Sequence, residues 1–374
     1  MCSSSPKVQN TFSVDNPKVQ DSFTAECPEF RPSIEEFKNF SKYIESVEEK
    51  ALPFGIMKII PPAGWKPREA PYDEADNIQI SAPVRQDATG RAGRYSLMMV
   101  QQKPMSVLQF KRHALRPENQ PPFAWRPAAA ATPRGTACEA REGDEAEGSA
   151  GCAGDGGMDP DCTLLEKRYW QGFVGRAAMY GSDNHSPTLF DEGAGAWNLG
   201  RLDSILRRRI RKVMPGVTSP YLYLGMWRST FGWHVEDMDL YSINFLHYGA
   251  PKVWYAVSEA DGPRLERLAA GLYPELALHC DQFLRHKSTM VHPSHLARAG
   301  IRVTRVVHRP GEFVITLPYA YHSGFNCGLN CAEAVNFATP RWVPLGHRAR
   351  LCWCFPDVVR IKMSIFEEGD VGGG

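Results

Sequence analysis

Apolar positions along the chain follow two different periods, and the change between them divides the sequence. Ile34, Phe37, Phe40, Tyr43 and Ile44 recur at helical intervals, and Ser33 with Glu36 three residues on has capping-box spacing, so the pattern predicts a short helix there. Met105 to Ala114, with Val107, Leu108 and Phe110, reads as a second helix. Leu202 to Val213 reads as a third, with Leu202, Ile205, Leu206, Ile210 and Val213 on one face, and Pro263 to Leu272 has a helical pattern too. Ile56 to Ile60 reads as a strand closed by Pro61-Pro62, which cannot donate to a ladder. From Tyr221 the pattern becomes short aromatic and aliphatic runs broken by Gly and Pro: Tyr221 to Trp227, Tyr241 to Leu246, Lys252 to Val257, Val303 to Val307, Glu312 to Leu317 and Ala332 to Phe337. Many short strands of this kind predict a sandwich or jelly roll with a site in its mouth.

Composition marks where no core is expected. Residues 1–28 are rich in Ser, Pro, Asn and Lys and read as a flexible tail. Residues 127–162 hold eight acids against two Arg, an Ala run and many Gly; so little apolar surface cannot offset the entropy of ordering, and a disordered insertion is expected. The rest of the 374 residues, 43% apolar over the whole chain, can bury a large core. A net charge of +1 singles out no partner. There is no apolar run of membrane-spanning length and no leader pattern at Met1, so an intracellular protein with its ten cysteines as thiols or metal ligands is expected. The cluster Arg207, Arg208, Arg209, Arg211 and Lys212 reads first as a solvated face, and alternatively as a contact for DNA phosphates or a nuclear import signal.

The candidate chemistry centres on Gly232-Trp233-His234-Val235-Glu236-Asp237. On extended backbone, His234 and Glu236 point to the same face. With a second imidazole they make the two-His-one-carboxylate set that holds Fe(II) and leaves positions open for a cosubstrate and oxygen. The short motif is weak alone: eleven His and 42 acids in 374 residues yield roughly 1.2 chance matches to His-x-Asp/Glu. His279-Cys280-Asp281 is such a match. The first site is favoured because strand-like segments flank it, Asn244 and Lys252 follow it, and the run Glu312 to Leu317 delivers His322 after a turn.

Longer stretches carry a family resemblance. Phe30-Arg31-Pro32 to Phe40, Lys58-Ile59-Ile60-Pro61-Pro62, Gly64-Trp65-Lys66-Pro67-Arg68 and Tyr72-Asp73 resemble the JmjN module, departing from its usual pattern at Glu48 to Phe54. Gly225-Met226-Trp227, Phe231 to Asn244, Trp254-Tyr255 and Tyr319 to Asn326 resemble a JmjC domain, and within that class the lysine-specific demethylase 4 family, closest to its short members. The resemblance spans about residues 30–115 and 163–365. It implies an α+β fold: a JmjC double-stranded β-helix (jelly-roll, cupin-like) core with flanking helices and a JmjN segment. The organisation it implies is a tail at 1–28, JmjN at 29–72, a mixed linker region at 73–126, the insertion at 127–162, a helical lead-in at 163–189, the JmjC domain with a C-terminal zinc site at 190–356, and an extension at 357–374.

Roles follow from the resemblance. It assigns His234, Glu236 and His322 to Fe(II), Tyr180 and Lys252 to the distal carboxylate of 2-oxoglutarate, and Asn244 and Trp254 to the walls around it. A cation at that far end is also what the dicarboxylate requires chemically. The methyl-lysine pocket falls to Gly216, Tyr221, Tyr223, Glu236, Ala334 and Asn336, although Tyr221 and Tyr223 read equally well as core aromatics of a strand. A quaternary ammonium suits a cage of oxygens and aromatic faces. Cys280, His286, Cys352 and Cys354 match a structural zinc site; their spacing alone leaves buried thiols as an equal reading. The implied reaction consumes O2, converts 2-oxoglutarate to succinate and hydroxylates an N-methyl group, which leaves as formaldehyde. The implied partners are the histone H3 tail and nucleosomal chromatin, with non-specific DNA contact, in the nucleus. Tri- and dimethylated lysine 9 are favoured over lysine 36, because Ala334 and Val335 match the short members. A JmjC hydroxylase of another protein side chain, or a catalytically silent chromatin-binding JmjC protein, are the alternatives.

Overall fold

The computed structural model describes residues 24–123, 160–356 and 358–367. Nearly all of the segment read as an insertion therefore lies outside the described residues, as do residues 1–23.

Before the insertion the strands are Thr24–Glu26 (β1), Glu29–Phe30 (β2), Ile56–Ile59 (β3), Gln79–Ile80 (β4), Val84–Arg91 (β5), Arg94–Gln101 (β6) and Met105–Ser106 (β7). After it come Ala178–His185 (β8), Tyr221–Gly225 (β9), Thr230–His234 (β10), Tyr241–Gly249 (β11), Lys252–Val257 (β12), Thr289–Val291 (β13), Val303–His308 (β14), Phe313–Thr316 (β15), Tyr321–Asn326 (β16) and Asn330–Phe337 (β17). A large sheet runs β13-β6-β5-β8-β9-β17-β11-β15-β3-β2 and a smaller one β1-β14-β12-β16-β10. They face each other across Ile56, Trp254, Ala256, Val306 and Val314, the sandwich expected of a jelly roll.

The central strands are buried on both faces, so alternation sorts their side chains between two interiors. In β11, Tyr241, Ile243 and Phe245 point away from the smaller sheet and pack with Phe37, Phe40, Ile44 and Trp197. Ser242 and Asn244 point the other way, into a cavity. In β12, Val253, Tyr255 and Val257 join the outer core with Leu165, Tyr169 and Leu265, while Lys252 and Trp254 line the cavity. Helices thus cover both outer faces and leave one cavity between the sheets. Aromatic stacking helps to fix the first layer: Trp197 lies 4.4 Å from Phe37 in a parallel arrangement and its indole donates to the Phe37 carbonyl at 2.8 Å.

Several elements differ from the sequence expectation. The capping box at Ser33 and Glu36 forms, but its helix ends at Phe37, because Asn39 caps a second helix, Phe40–Ala51. Ser106 caps the next helix, which begins at Val107 and not at Met105. Leu202 to Val213 is helical only over Ile205–Arg209, capped by Ser204, with extended backbone at Ile210. A longer helix would place Arg207 over Arg211 and Arg208 over Lys212, and like charges four residues apart oppose it. The strand from Tyr221 stops at Gly225, because the chain turns through Arg228 at φ +72°. Thr24–Glu26, inside the stretch read as a tail, pairs in parallel with β14. Within 73–126 and 163–189, the hairpin β5–β6 and strand β8 belong to the large sheet, alongside the helices Val107–Ala114 and Pro160–Gln171. Among the described residues no helix is long and apolar enough to cross a membrane.

Candidate active site and metal centres

Strand register brings the two histidines together. In the β10–β16 pair His234 lies opposite His322, and their ring centroids are 4.2 Å apart. Glu236 follows the end of β10 on extended backbone, and its carboxylate reaches His322 Nε2 at 3.2 Å. The ligand atoms of all three lie within 4.8 Å of one another. Each imidazole donates Nδ1–H to a carbonyl, His234 to Gly232 (2.7 Å) and His322 to Ala320 (3.1 Å), which turns both Nε2 lone pairs inward. Burial, reinforced by His322, holds His234 well below the usual histidine range, so it is a neutral ligand. Burial works against the Glu236 anion, yet the two imidazoles beside it, His322 before His234, keep its carboxyl well below the usual range. Two imidazole nitrogens and one carboxylate are the donor set that suits Fe(II).

The triad opens onto a cavity of about 380 Å³. One wall carries Tyr180, Asn244, Lys252 and Trp254, all buried. Burial pushes the Lys252 ammonium down to about 7, and its Nζ sits 5.7 Å from the Tyr180 ring centroid. Asn244 Oδ1 and Trp254 Nε1 are buried without a hydrogen-bond partner. Buried polar atoms are rarely left so, and the Trp254 N–H together with the Lys252 ammonium offers donors that fit a small polar anion.

The other predicted residues line the same cavity. Gly216, Tyr221, Tyr223, Ala334 and Asn336 all line the cavity with Glu236. Gly216 has φ +78°, and a Cβ there would meet the Tyr221 ring at 2.5 Å, so glycine is required by conformation and by space. Asn336 donates to Glu236 Oε2 at 3.1 Å and to the Tyr241 carbonyl at 3.0 Å, while its own N–H donates to the Gly216 carbonyl at 2.8 Å. Tyr223 donates to Asp183 at 3.0 Å.

Sequence reasoning missed Asp183, Asp237 and Lys287, which share this cavity. Desolvation disfavours the Lys287 ammonium, but Asp183, Glu236 and Asp237 around it outweigh that and push it up. Asp183, at a register irregularity within β8, and Lys287, after the turn Phe283–His286, both adopt left-handed backbone, and no local pattern in the sequence points to either.

A second cluster joins Cys280, His286, Cys352 and Cys354, again with ligand atoms within 4.8 Å. Cys352 Sγ lies 3.8 Å from Cys280 Sγ and 3.2 Å from His286 Nε2. Three thiols and one imidazole converging from segments 72 residues apart at Cys280 and Cys352 form a closed set that fits tetrahedral zinc. His279 and Asp281, the other parts of the rival short motif, are not in either cluster.

Comparison with known proteins agrees with this geometry. The JmjC domain, described as a hydroxylase, matches residues 221–337, and the JmjN domain matches residues 28–61. Over 341 residues, 90% of this chain, it is 41% identical to mouse lysine-specific demethylase 4B, 39% to human probable lysine-specific demethylase 4F and 40% to rat lysine-specific demethylase 4D. The match spans 28%, 48% and 60% of those proteins' own lengths, respectively. With both domains in order and this identity across nearly the whole sequence, the chain belongs to the lysine-specific demethylase 4 family of JmjN–JmjC proteins.

Proposed function

We propose that the chain is an Fe(II)- and 2-oxoglutarate-dependent dioxygenase that demethylates tri- and dimethyl-lysine on histone H3. The observation that carries this reading is one cavity in which the His234–Glu236–His322 triad shares the lining with buried Lys252, Tyr180, Asn244 and Trp254 and with Tyr221, Tyr223 and Asn336. Iron with 2-oxoglutarate and O2 would supply the oxidation of an N-methyl carbon, giving succinate, CO2 and a hydroxymethyl amine that releases formaldehyde. Attack at carbon needs no lone pair on nitrogen, so a trimethylated lysine is a competent substrate.

The chain's own residues bind and orient. Lys252 and Tyr180 take the distal carboxylate of the cosubstrate, with Asn244 and Trp254 beside it. Tyr221, Tyr223 and Glu236, with Asn336 and the Gly216 carbonyl, surround the methylammonium, which has no N–H to donate and is held by oxygens and aromatic faces. Ala334 leaves one oxygen fewer in that cage than a serine would. We assign lysine 9 of histone H3 as the preferred site and lysine 36 as a poor one. The check is a comparison of initial rates on the two trimethylated peptides at equal concentration, and a faster rate on lysine 36 reverses the assignment.

The same reading makes the Cys280–His286–Cys352–Cys354 cluster a structural zinc site tying the C-terminal segment to the core. Elemental analysis of purified protein should find one zinc per chain, and chelation should lower the melting temperature. Active protein without zinc would remove this assignment. Acting on histone tails places the protein in the nucleus on chromatin, where exposed Arg211 and Lys212, a few residues before the cavity wall at Pro215 and Gly216, are suited to DNA phosphates.

A further inference from the structure

We infer that Arg285 is a positioning residue for Glu236, fixing the carboxylate arm of the metal triad from outside the cavity. This inference rests on the metal-site reading above. Glu236 lies beyond the last residue of β10, so no ladder partner fixes its backbone. Its carbonyl instead accepts two hydrogen bonds, from the Asp239 N–H at 3.0 Å and from Arg285 Nη1 at 2.8 Å. Arg285 Nη2 also donates to Asp239 Oδ1 at 2.5 Å, and both side chains are at least nine-tenths buried. One guanidinium fork therefore closes both ends of the turn that follows the ligand.

That turn needs closing. Met238 and Asp239 sit at φ +53° and +54°, a conformation that non-glycine residues keep only where their surroundings impose it. Trp342 restrains the middle through its indole N–H to the Met238 carbonyl at 2.9 Å. Arg285 is itself anchored in the short 3-10 turn Phe283–His286, next to His286 of the cysteine cluster. Asn336 orients the carboxylate oxygens from one side. Arg285 fixes the peptide from which that side chain projects.

The test uses Mn(II) as a spin-visible probe, titrated into the full chain with the zinc content of each preparation checked by elemental analysis. Arg285→Met is expected to weaken Mn(II) binding about 10-fold, the lower end for losing an outer-shell partner of a metal ligand. Arg285→Met alone leaves Asp239 buried without its cation, which costs stability. The double variant Arg285→Met/Asp239→Asn removes that buried charge. It should recover much of the melting temperature yet still bind Mn(II) about 10-fold more weakly, an outcome that a merely structural role does not give. Arg285→Lys keeps the charge without the fork, and should bind more weakly than the parent by about 3-fold or more. Parent-like Mn(II) affinity in any of these variants that folds overturns the inference. A parent protein that does not bind Mn(II) at the triad overturns the metal-site reading as well, so the two failures are distinguishable.

Discussion

Replacing His234 or Glu236 with alanine is expected to abolish 2-oxoglutarate turnover while leaving the fold intact. Three protein ligands are the minimum that fix a metal on one face, and removing one leaves two donors that cannot hold it in the same place. The loss should exceed the roughly 10- to 100-fold typical of outer-shell changes. Both residues face the cavity: His234 ends β10 opposite His322, and Glu236 follows it, so truncation removes donors and not core. Succinate formation with saturating iron reads the effect, and the melting temperature reports on the fold. Activity within about tenfold of the parent in either variant would contradict the assignment, since it would fall inside the outer-shell range.

The second large effect is expected at Lys252. Methionine there preserves the stem and removes the charge. Hydrogen bonds to charged groups contribute about 1.5–3 kcal/mol, so KM for 2-oxoglutarate should rise roughly 10- to 150-fold, with a smaller change in kcat. The sign of the pH dependence follows from burial. In the cosubstrate-free protein Lys252 is held down to about 7, so it is charged below that pH and increasingly neutral above it. The dicarboxylate pairs with the charged form, and binding above neutrality must take up a proton. Affinity for 2-oxoglutarate should therefore fall as pH rises through about 7 to 9, and Lys252→Met should remove that slope along with the affinity. A parent KM that stays flat across this range, or a variant with unchanged KM, would contradict the role.

Much of the site was legible because its residues cluster in continuous stretches. His234, Glu236, Asn244, Lys252 and Trp254 fall within 21 positions of sequence, and alternation along β11 and β12 sorts them toward one interior. What the sequence did not carry was pairing. Nothing local says that β10 aligns His234 with His322, or that β14 offers an edge to Thr24–Glu26. The run Glu312 to Leu317 pointed to His322, but the zinc reading of the cysteine cluster, whose members come from distant segments, rested on the resemblance. Asp183 and Lys287 escaped because isolated residues in left-handed backbone, one at an irregularity in β8 and one after a 3-10 turn, belong to no periodic pattern. The helix expected over Leu202 to Val213 failed for an electrostatic reason: apolar spacing supported its full length, but five cations on so few residues did not.

On this reading the cavity oxidises methyl-lysine at the expense of 2-oxoglutarate. The most direct measurement is mass spectrometry of an H3 peptide trimethylated at lysine 9, incubated with the protein, Fe(II), ascorbate and 2-oxoglutarate in air. Stepwise loss of methyl groups is expected, to the dimethyl product and beyond, with formaldehyde released in step and no change when 2-oxoglutarate is omitted. A peptide of unchanged mass alongside steady succinate production, or a peptide that gains one oxygen and keeps all its methyl groups, would contradict it.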